Sequence, residues 1–545
     1  MESLHQLEII ILLLAIVLAL TTVARRILIP YPILLVVGGL VLAVVPGLPT
    51  VTLNPDLVFL VFLPPILWAA AYFTSWRDFR RNIRPISLLA VGLVLATTAV
   101  VAGVAHAVLG FGWAEAVALG AIVSPPDAVS ATAIGKRLNM PQRIVTILEG
   151  ESLVNDATAL VLYRAAVAAV VSGGFVVGEA LLQFVYAAVA GVMVGVLVGW
   201  VTRWALHVIG DSFTEIAATL LAPYVAWVIG ESIHASAVLS CVAGGIYLRQ
   251  HFSKVVAPTT RLQGRAVWDL VVFVLNGVIF ILIGLQLGTL REAVPPDRLW
   301  SLVIGGTLIS LAAIVVRLVW VPLIATIPRY LSSALRARDP LPPWPHIFLV
   351  GWTGMRGIVT LAAAMALPVS TGTGAPFPFR SEIILLSFMV ILATLVVQGL
   401  TLAPLMRALE VSGGSEGEKE EMHAREQAAG AALLRLNELT KEDWTKPAHV
   451  EQLELHYGGR LRRFSPDADI DPECKKETSE AFLRLREETL TAERAALIRL
   501  RDEDTISDEV LHRLEQEMDV EALRLGIGER RMHASKNHRP SKDLD

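Results

Sequence analysis

The stretch ILEGESLVNDATALVLYR, from Ile147 to Arg164, has the length and apolar content of a membrane helix but carries three acids and an arginine. Asp156 lies about midway between Arg143 and Ser172, which places it near the centre of a predicted span. An unpaired charge at that depth costs about 2.5–3.5 kcal/mol on insertion scales. The stretch therefore predicts a membrane helix whose ionisable side chains are paired or have a function.

The composition favours a membrane domain followed by a charged tail. Of the 545 residues, 54% are hydrophobic. Residues 1–410 hold 24 Lys+Arg and 19 Asp+Glu, whereas residues 411–545 hold 22 and 31. We expect a transmembrane domain over 1–410 and an acidic, helical, cytoplasmic tail over 411–545. Helical patterns near 424–440 and 477–527 fit either a regulatory helix that docks on the protein or a solvated tail.

The hydrophobic pattern predicts an all-α polytopic membrane protein with about 13 transmembrane helices. Loops after odd-numbered segments hold most of the Lys and Arg, and loops after even-numbered segments hold only Arg291, Arg298 and Arg380. The N-terminus is then expected outside and the tail inside. The predicted segments are 6–24, 28–46, 56–73, 86–110, 113–135, 145–171, 179–208, 213–231, 234–249, 268–289, 299–325, 346–369 and 381–406.

Two of these segments are interrupted. The fifth contains Pro125 and Pro126, and the twelfth contains glycines at 351, 354 and 357 beside Arg356. Non-helical backbone at membrane depth is tolerated only inside protein or along a cavity. Because the two segments are seven apart, segments 1–6 and 8–13 are predicted to form two inverted six-helix repeats, a pattern typical of transporters. Two unrelated kinked helices are the alternative.

Helical periodicity separates the polar groups of the opening stretch into two faces. Asp156 and Ser152 share one face, and Glu151 and Asn155 lie on an adjoining one. A buried carboxylate that accepts either a proton or a cation is a minimal exchange site, since the two compete for one negative charge. Asp, Ser, Asn and backbone oxygens, such as the carbonyls exposed near Pro126, are suitable ligands for a hard monovalent cation.

The other buried charges call for partners. Glu151 is expected to form a structural ion pair with Arg356, and removing one member of such a pair would cost about 3–5 kcal/mol. Asp127 is either a ligand or a counter-charge for the broken helix ends. Arg164 and Arg317 have no partner that the sequence identifies.

Five motifs, in order along residues 5–407, resemble the monovalent cation:proton antiporter-1 family, which comprises bacterial NhaP-type sodium/proton antiporters and animal Na+/H+ exchangers. The motifs are FLPPILW, VSPPDAV, EGESLVNDATALVL, WDLVVFVLNGVIFILIGLQL and GMRGIVTLA. The resemblance implies 13 spans with inverted repeats, a mobile core domain, and a second domain that forms a homodimer.

The resemblance also implies roles for individual residues. The ion-binding aspartate falls on Asp156, the serine ligand on Ser152 and the aspartate of the first broken helix on Asp127. Asn155 completes an Asn-Asp pair associated with electroneutral exchange of one Na+ for one H+. The glutamate and arginine of the structural pair fall on Glu151 and Arg356.

Two positions depart from the family pattern. Pro126 stands where a threonine is frequent, so only its backbone carbonyl is available for coordination. Ala69 stands where NhaP-type members often have a glutamate, which removes one possible ligand and leaves the choice between Na+ and K+ open.

The sequence therefore predicts a plasma-membrane Na+/H+ antiporter that contributes to pH and Na+ homeostasis, with Na+ and H+ as its substrates and the lipid membrane as a further partner. The predicted cation site is Asp156 with Ser152, Asn155, Asp127 and Pro126. No cofactor and no nucleic acid are expected. Exchange of K+ or of several cations is the alternative within this class, and a channel or sensor is an alternative outside it. An enzyme is disfavoured because zinc-protease, serine-hydrolase and P-loop motifs are missing from the sequence.

Overall fold

The computed structural model describes residues 2–27, 30–45, 58–172, 177–292, 298–371, 374–411, 413, 416–442, 444–464 and scattered positions between 485 and 520. These residues are almost entirely helical, and the part of the chain described has no β-strand beyond one isolated bridge between Ser370 and Pro376. Most of the helical stretch predicted over 477–527 lies outside the described residues.

Every predicted hydrophobic segment overlaps at least one helix, and some helices lie outside all of the segments. The helices are α1 (Glu2–Ile27), α2 (Tyr31–Val44), α3 (Leu63–Phe73), α4 (Trp76–Arg81), α5 (Ile83–Ser87), α6 (Val94–Leu109), α7 (Trp113–Val123), α8 (Ala128–Arg137), α9 (Gln142–Ser172), α10 (Val177–Ile209), α11 (Ser212–Ser232), α12 (Ala237–Val255), α13 (Pro258–Glu292), α14 (Leu299–Leu331), α15 (Ser333–Arg338), α16 (Trp344–Trp352), α17 (Ile358–Met365), α18 (Arg380–Ala408), α19 (Glu416–Leu439) and α20 (Pro447–Phe464). Two π-helical turns, Val58–Phe62 and Leu88–Leu93, lead into α3 and α6.

Seven helices of the described residues are long and apolar enough to cross a membrane, and four shorter ones are apolar. The chain divides into two compact units, Met1–Gly413 and Gly414–Asp545. All seven long apolar helices belong to the first unit.

Helices of the first unit form two packed groups. In one group, α7 packs against α6, α9 and α18, and α14 packs against α6, α16 and α18. In the other, α13 packs against α1, α2 and α11, and α12 packs against α3, α10 and α11. Both interrupted segments belong to the first group, where it meets α2, α3 and α13 of the second.

The crossing of α2 and α13 in the second group depends on glycine. Gly39 of α2 and Gly284 of α13 face each other, and a Cβ atom on Gly284 would overlap the backbone oxygen of Val36 and lie 2.8 Å from Cα of Gly39. Small residues allow membrane helices to approach this closely and gain van der Waals contact.

Replacing Gly284 with alanine should destabilise the protein by about 1–3 kcal/mol, because backbone atoms must move apart to admit the methyl group. Thermal unfolding of the detergent-solubilised protein measures this change. Gly103→Ala is the matched control, since a Cβ atom there meets nothing within 4 Å. Equal midpoints for the two variants would contradict the proposed crossing.

Candidate functional site

The two interrupted segments cross at their breaks. α7 ends at Val123 because the prolines that follow supply no amide hydrogen to continue the helix, and α8 begins at Ala128. The second break separates α16 from α17. The backbone N–H of Asp127 donates to the carbonyl of Met355 over 2.7 Å, which joins the two breaks directly.

Arg356 of the second break neutralises a helix end of the first. Its side chain is 1% exposed, and its Nε donates to the carbonyl of Val123 over 2.6 Å, at the C-terminus of α7. Its Nη1 donates to the carbonyl of Gly354 over 2.7 Å. The C-terminus of a helix carries partial negative charge, so a buried guanidinium is stabilised there.

Asp127 has the complementary position at a helix N-terminus. Its Oδ1 accepts a hydrogen bond from the backbone N–H of Val129 over 2.9 Å in the first turn of α8. Gly357 packs directly against this carboxylate, and a Cβ atom at that position would overlap Oδ2 of Asp127. Of the two roles left open for Asp127, the counter-charge role is the one this hydrogen bond supports.

Two polar side chains of α9 form hydrogen bonds with the backbone of the first break. Asn155 donates from Nδ2 to the carbonyl of Pro126 over 2.9 Å, and Ser152 Oγ accepts from the backbone N–H of Ala128 over 3.4 Å. These contacts bring Ser152, Asn155, Pro126 and Asp127 together, as the sequence predicted for a single site. Asn155, however, is not among the residues that line the cavity beside them.

That cavity has a volume of about 350 Å³ and contains the carboxylate of Asp156. Asp156 is 6% exposed, and its carboxylate accepts no hydrogen bond from any residue that the structure describes. Asp156 is therefore a buried acid of α9 that lines this cavity and has no cationic partner among the described residues. The other polar residues lining the cavity are Tyr31, Asp127, Thr132, Glu149, Ser152, Asp269, Asn276 and Thr360.

The partner of Glu151 differs from the one expected. Both carboxylate oxygens of Glu151 accept hydrogen bonds from Arg317 of α14, Oε2 from Nη2 over 2.7 Å and Oε1 from Nη1. Both side chains are 1% exposed. The expected ion pair between Glu151 and Arg356 is therefore corrected: Arg317 is the mate, and Arg356 instead bonds backbone carbonyls. Helical periodicity gives the face on which Glu151 lies but not the helix that packs there.

Arg164, which had no predicted partner, pairs with Glu231 of α11 over 2.7 Å. This pair borders a second cavity of about 300 Å³ that begins at Ala157, the residue after Asp156. The rings of Phe59 and Trp227 stack in the wall of this second cavity, with centroids 6.4 Å apart. Two cavities thus approach the middle of α9 from its opposite ends, and Asp156 lines only the first.

Asn276 and Thr360 are among the cavity residues that were not predicted as site residues. Oδ1 of Asn276 and Oγ1 of Thr360 are buried and have no hydrogen-bond partner among the described residues, although both side chains line the cavity. Ala69 also lines it. A lone Asn or Thr in an apolar helix gives no sequence signal that separates a cavity residue from a helix-packing residue.

Comparisons with known proteins identify the family. A model of the sodium/hydrogen exchanger family, transmembrane part, matches residues 10–408. An uncharacterised Na+/H+ exchanger of Mycobacterium bovis is 33% identical over 529 residues, which cover 95% of this chain and 96% of that protein. The chain belongs to the sodium/hydrogen exchanger family. Members of this family are transporters and not enzymes, as the sequence predicted.

This exchanger-family protein is also similar to one further relative and to one solved structure. A sodium, potassium, lithium and rubidium/H+ antiporter of Bacillus pumilus is 32% identical over 426 residues, 76% of this chain and 63% of that protein. The sodium proton antiporter MjNhaP1 of Methanocaldococcus jannaschii has a similar fold, with a TM-score of 0.57 and 19% identity over 73% of this chain and all of that one.

A double-mutant cycle tests the corrected ion pair. Glu151→Gln or Arg317→Gln alone should cost about 3–5 kcal/mol of stability, because each leaves a buried charge unpaired, and the double variant should cost less than their sum. Thermal unfolding of the detergent-solubilised variants gives the coupling energy. The control cycle pairs Glu151→Gln with Arg356→Gln, and a larger coupling in that cycle would contradict the assignment.

Proposed function

We propose that this protein is a secondary active antiporter that exchanges Na+ for H+, with the two cations competing for the carboxylate of Asp156. The proposal rests on one observation: Asp156 is the buried acid of α9 that lines a cavity and has no cationic partner. A carboxylate at mid-membrane depth is unstable when it is charged and bare. A proton neutralises it and a bound Na+ compensates it, so each occupant displaces the other.

Oxygen atoms suitable for Na+ surround that carboxylate. Ser152 and Asp127 line the same cavity, and the carbonyl of Pro126 has a second lone pair beside the one that Asn155 occupies. Asn276 and Thr360 add oxygens that no described residue bonds. We infer that Na+ is held by Asp156 and Ser152 with help from this set, and that Asn155 supports the site by holding Pro126.

We infer one-for-one, electroneutral exchange from the charges at the site. Asn155 is neutral, Glu151 is held by Arg317, and Asp127 is bound at the start of α8. Asp156 is then the carboxylate whose occupant changes, so one positive charge replaces another in each half of the cycle.

Transport requires access to Asp156 from each side in turn. The first cavity approaches Asp156 from the end of the bundle that has the basic loops, which we propose to be cytoplasmic. The second cavity, which the Arg164–Glu231 pair borders, approaches from the opposite end. We propose that the protein is a homodimer in the plasma membrane, with 13 spans, an outside N-terminus and two inverted six-helix repeats whose fifth members are the interrupted segments. A role in pH and Na+ homeostasis follows from this exchange.

Exchange of K+ as well as Na+ is a second candidate. Ala69 lines the cavity with a small apolar side chain, so this position supplies no negatively charged ligand. The named activity of the Bacillus pumilus relative includes potassium and rubidium. A looser site with fewer carboxylates discriminates less between monovalent cations of different radius.

Transport in reconstituted vesicles tests both candidates. Addition of Na+, K+ or Li+ to vesicles with an imposed pH gradient should dissipate the gradient in wild type, as recorded by dequenching of a pH-sensitive dye, and should fail in Asp156→Asn. Asp211→Asn is the matched control, because Asp211 is exposed at the start of α11 and asparagine caps a helix equally well. Cation-driven proton movement that persists in Asp156→Asn would refute the site assignment.

The same vesicles separate an exchanger from a channel. With the membrane potential clamped at zero, electroneutral exchange should continue at an unchanged rate and produce no current on a solid-supported membrane. A sustained Na+ current without proton movement would identify a channel and overturn the proposal. A response to K+ equal to that for Na+ would favour the broader exchange activity.

A further inference from the structure

A cluster of arginines lies at the base of the bundle, away from the exchange site. Arg84, Arg143 and Arg329 come from three separate segments and, with His346, line a cavity of about 70 Å³ between α5, α9, α14 and α16. The four residues lie at the end of the bundle with the basic loops. A cavity of this size has room for about five water-sized atoms, which is comparable to the oxygens of one phosphate group.

The positive charge of this cluster exceeds its negative charge. Asp339 accepts hydrogen bonds from Nη2 of Arg143 over 2.6 Å and from Nη2 of Arg329. Nη2 of Arg84 is buried and has no hydrogen-bond partner among the described residues. Two of the three guanidinium groups therefore share the carboxylate of Asp339, and a buried nitrogen of the third, Arg84, has an unused donor.

Apolar side chains form the rest of the cavity wall. They come from α9, α14, α16 and the π-helical turn Leu88–Leu93 that follows α5. They are Leu88, Leu89, Ile144, Ile147, Val321, Ile324, Ala325, Ile347 and Val350. A soluble anion would gain nothing from this wall, whereas a molecule with an anionic head and a hydrocarbon chain would satisfy both parts of the cavity.

We propose that this cavity binds an anionic phospholipid, with the phosphate on the arginine cluster and the first part of an acyl chain against the apolar wall. Guanidinium groups bind phosphate oxygens through paired hydrogen bonds, and the free donor of Arg84 supplies the contact that Asp339 does not take. Basic pockets between membrane helices at a bilayer surface are the expected form of such a site.

The bound lipid would stabilise the helices that hold the exchange site. Arg143 is in α9, which carries Ser152 and Asp156, and Arg329 is in α14, which carries Arg317. Val350 of the cavity wall accepts a hydrogen bond from Nε of Arg317 over 3.1 Å. A lipid that contacts α9, α14 and α16 together therefore favours the arrangement in which Glu151 and Arg317 are paired.

Thermal unfolding of the full-length protein in detergent, titrated with lipid, tests the proposal. Phosphatidylglycerol should raise the unfolding midpoint and phosphatidylcholine should not. Arg84→Gln should weaken the apparent affinity for phosphatidylglycerol about fivefold, the effect of one basic group near an anionic lipid. Arg81→Gln removes the same charge from an exposed position outside the cavity and should retain the wild-type response.

Inorganic phosphate separates a lipid from a soluble anion. Phosphate at the same concentration as the lipid should not raise the unfolding midpoint comparably. A rise equal to that with phosphatidylglycerol would overturn the proposal in favour of a soluble-anion site. An equal loss of apparent affinity for phosphatidylglycerol in Arg84→Gln and Arg81→Gln would also overturn the proposal. The lipid would then respond to the general positive charge of the surface and not to this cavity.

A measurement on the wild-type protein covers the case in which Arg84→Gln does not fold. After purification in equal amounts of the two lipids, native mass spectrometry should find phosphatidylglycerol retained in preference to phosphatidylcholine. Equal retention of both lipids would contradict the proposal independently of any variant. These readouts do not depend on transport, so their failure is distinguishable from failure of the proposed exchange function.

Discussion

A charged group in the interior of a membrane must be paired, bonded to backbone dipoles or hydrated, and this constraint explains the arrangement of the whole first unit. Glu151 and Arg317 satisfy each other. Arg356 bonds the carbonyl end of α7, and Asp127 bonds the amide end of α8. Glu151, Arg317 and Arg356 are thus held by their partners, whereas Asp127 has one oxygen bonded at α8 and a second that no described residue bonds.

Asp156 differs from the paired charges because no described residue neutralises its carboxylate. Its function depends on those pairs. A cation site needs a carboxylate that is buried enough to select its occupant but is not already neutralised by the protein. The fixed pairs around Asp156 allow this, because they keep neighbouring positive charges occupied elsewhere. Arg356, which lies one break away, is bonded to Val123 and Gly354 and is therefore held in place.

The crossing of the two breaks depends on both sequence motifs at once. The prolines before Asp127 end α7 and leave its last carbonyls unbonded, and Arg356 of the other motif bonds one of them. Gly357 leaves room for the Asp127 carboxylate against the second break. Neither motif forms this structure alone.

Local features of the site could be predicted from sequence, whereas contacts between distant segments could not. Helical periodicity placed Ser152 and Asp156 on one face, and both line the cavity. The partner of Glu151 was predicted wrongly, because Arg317 and Arg356 are both buried arginines and only the packing of α14 against α16 decides between them. The polar role of Asn276 was missed for the same reason: an isolated asparagine has no periodic pattern that indicates which neighbour it faces.

Proton release on cation binding is the most direct measurement of competition at Asp156. Na+ is added to purified protein in weakly buffered detergent solution, and a pH indicator records the protons released. Competition predicts about one proton released per Na+ bound, since a cation that needs a deprotonated ligand must displace its proton, and no release from Asp156→Asn. Competition at Asp156 would be contradicted if Na+ bound but released protons at no pH tested. It would also be contradicted if Asp156→Asn released as many protons as the wild type.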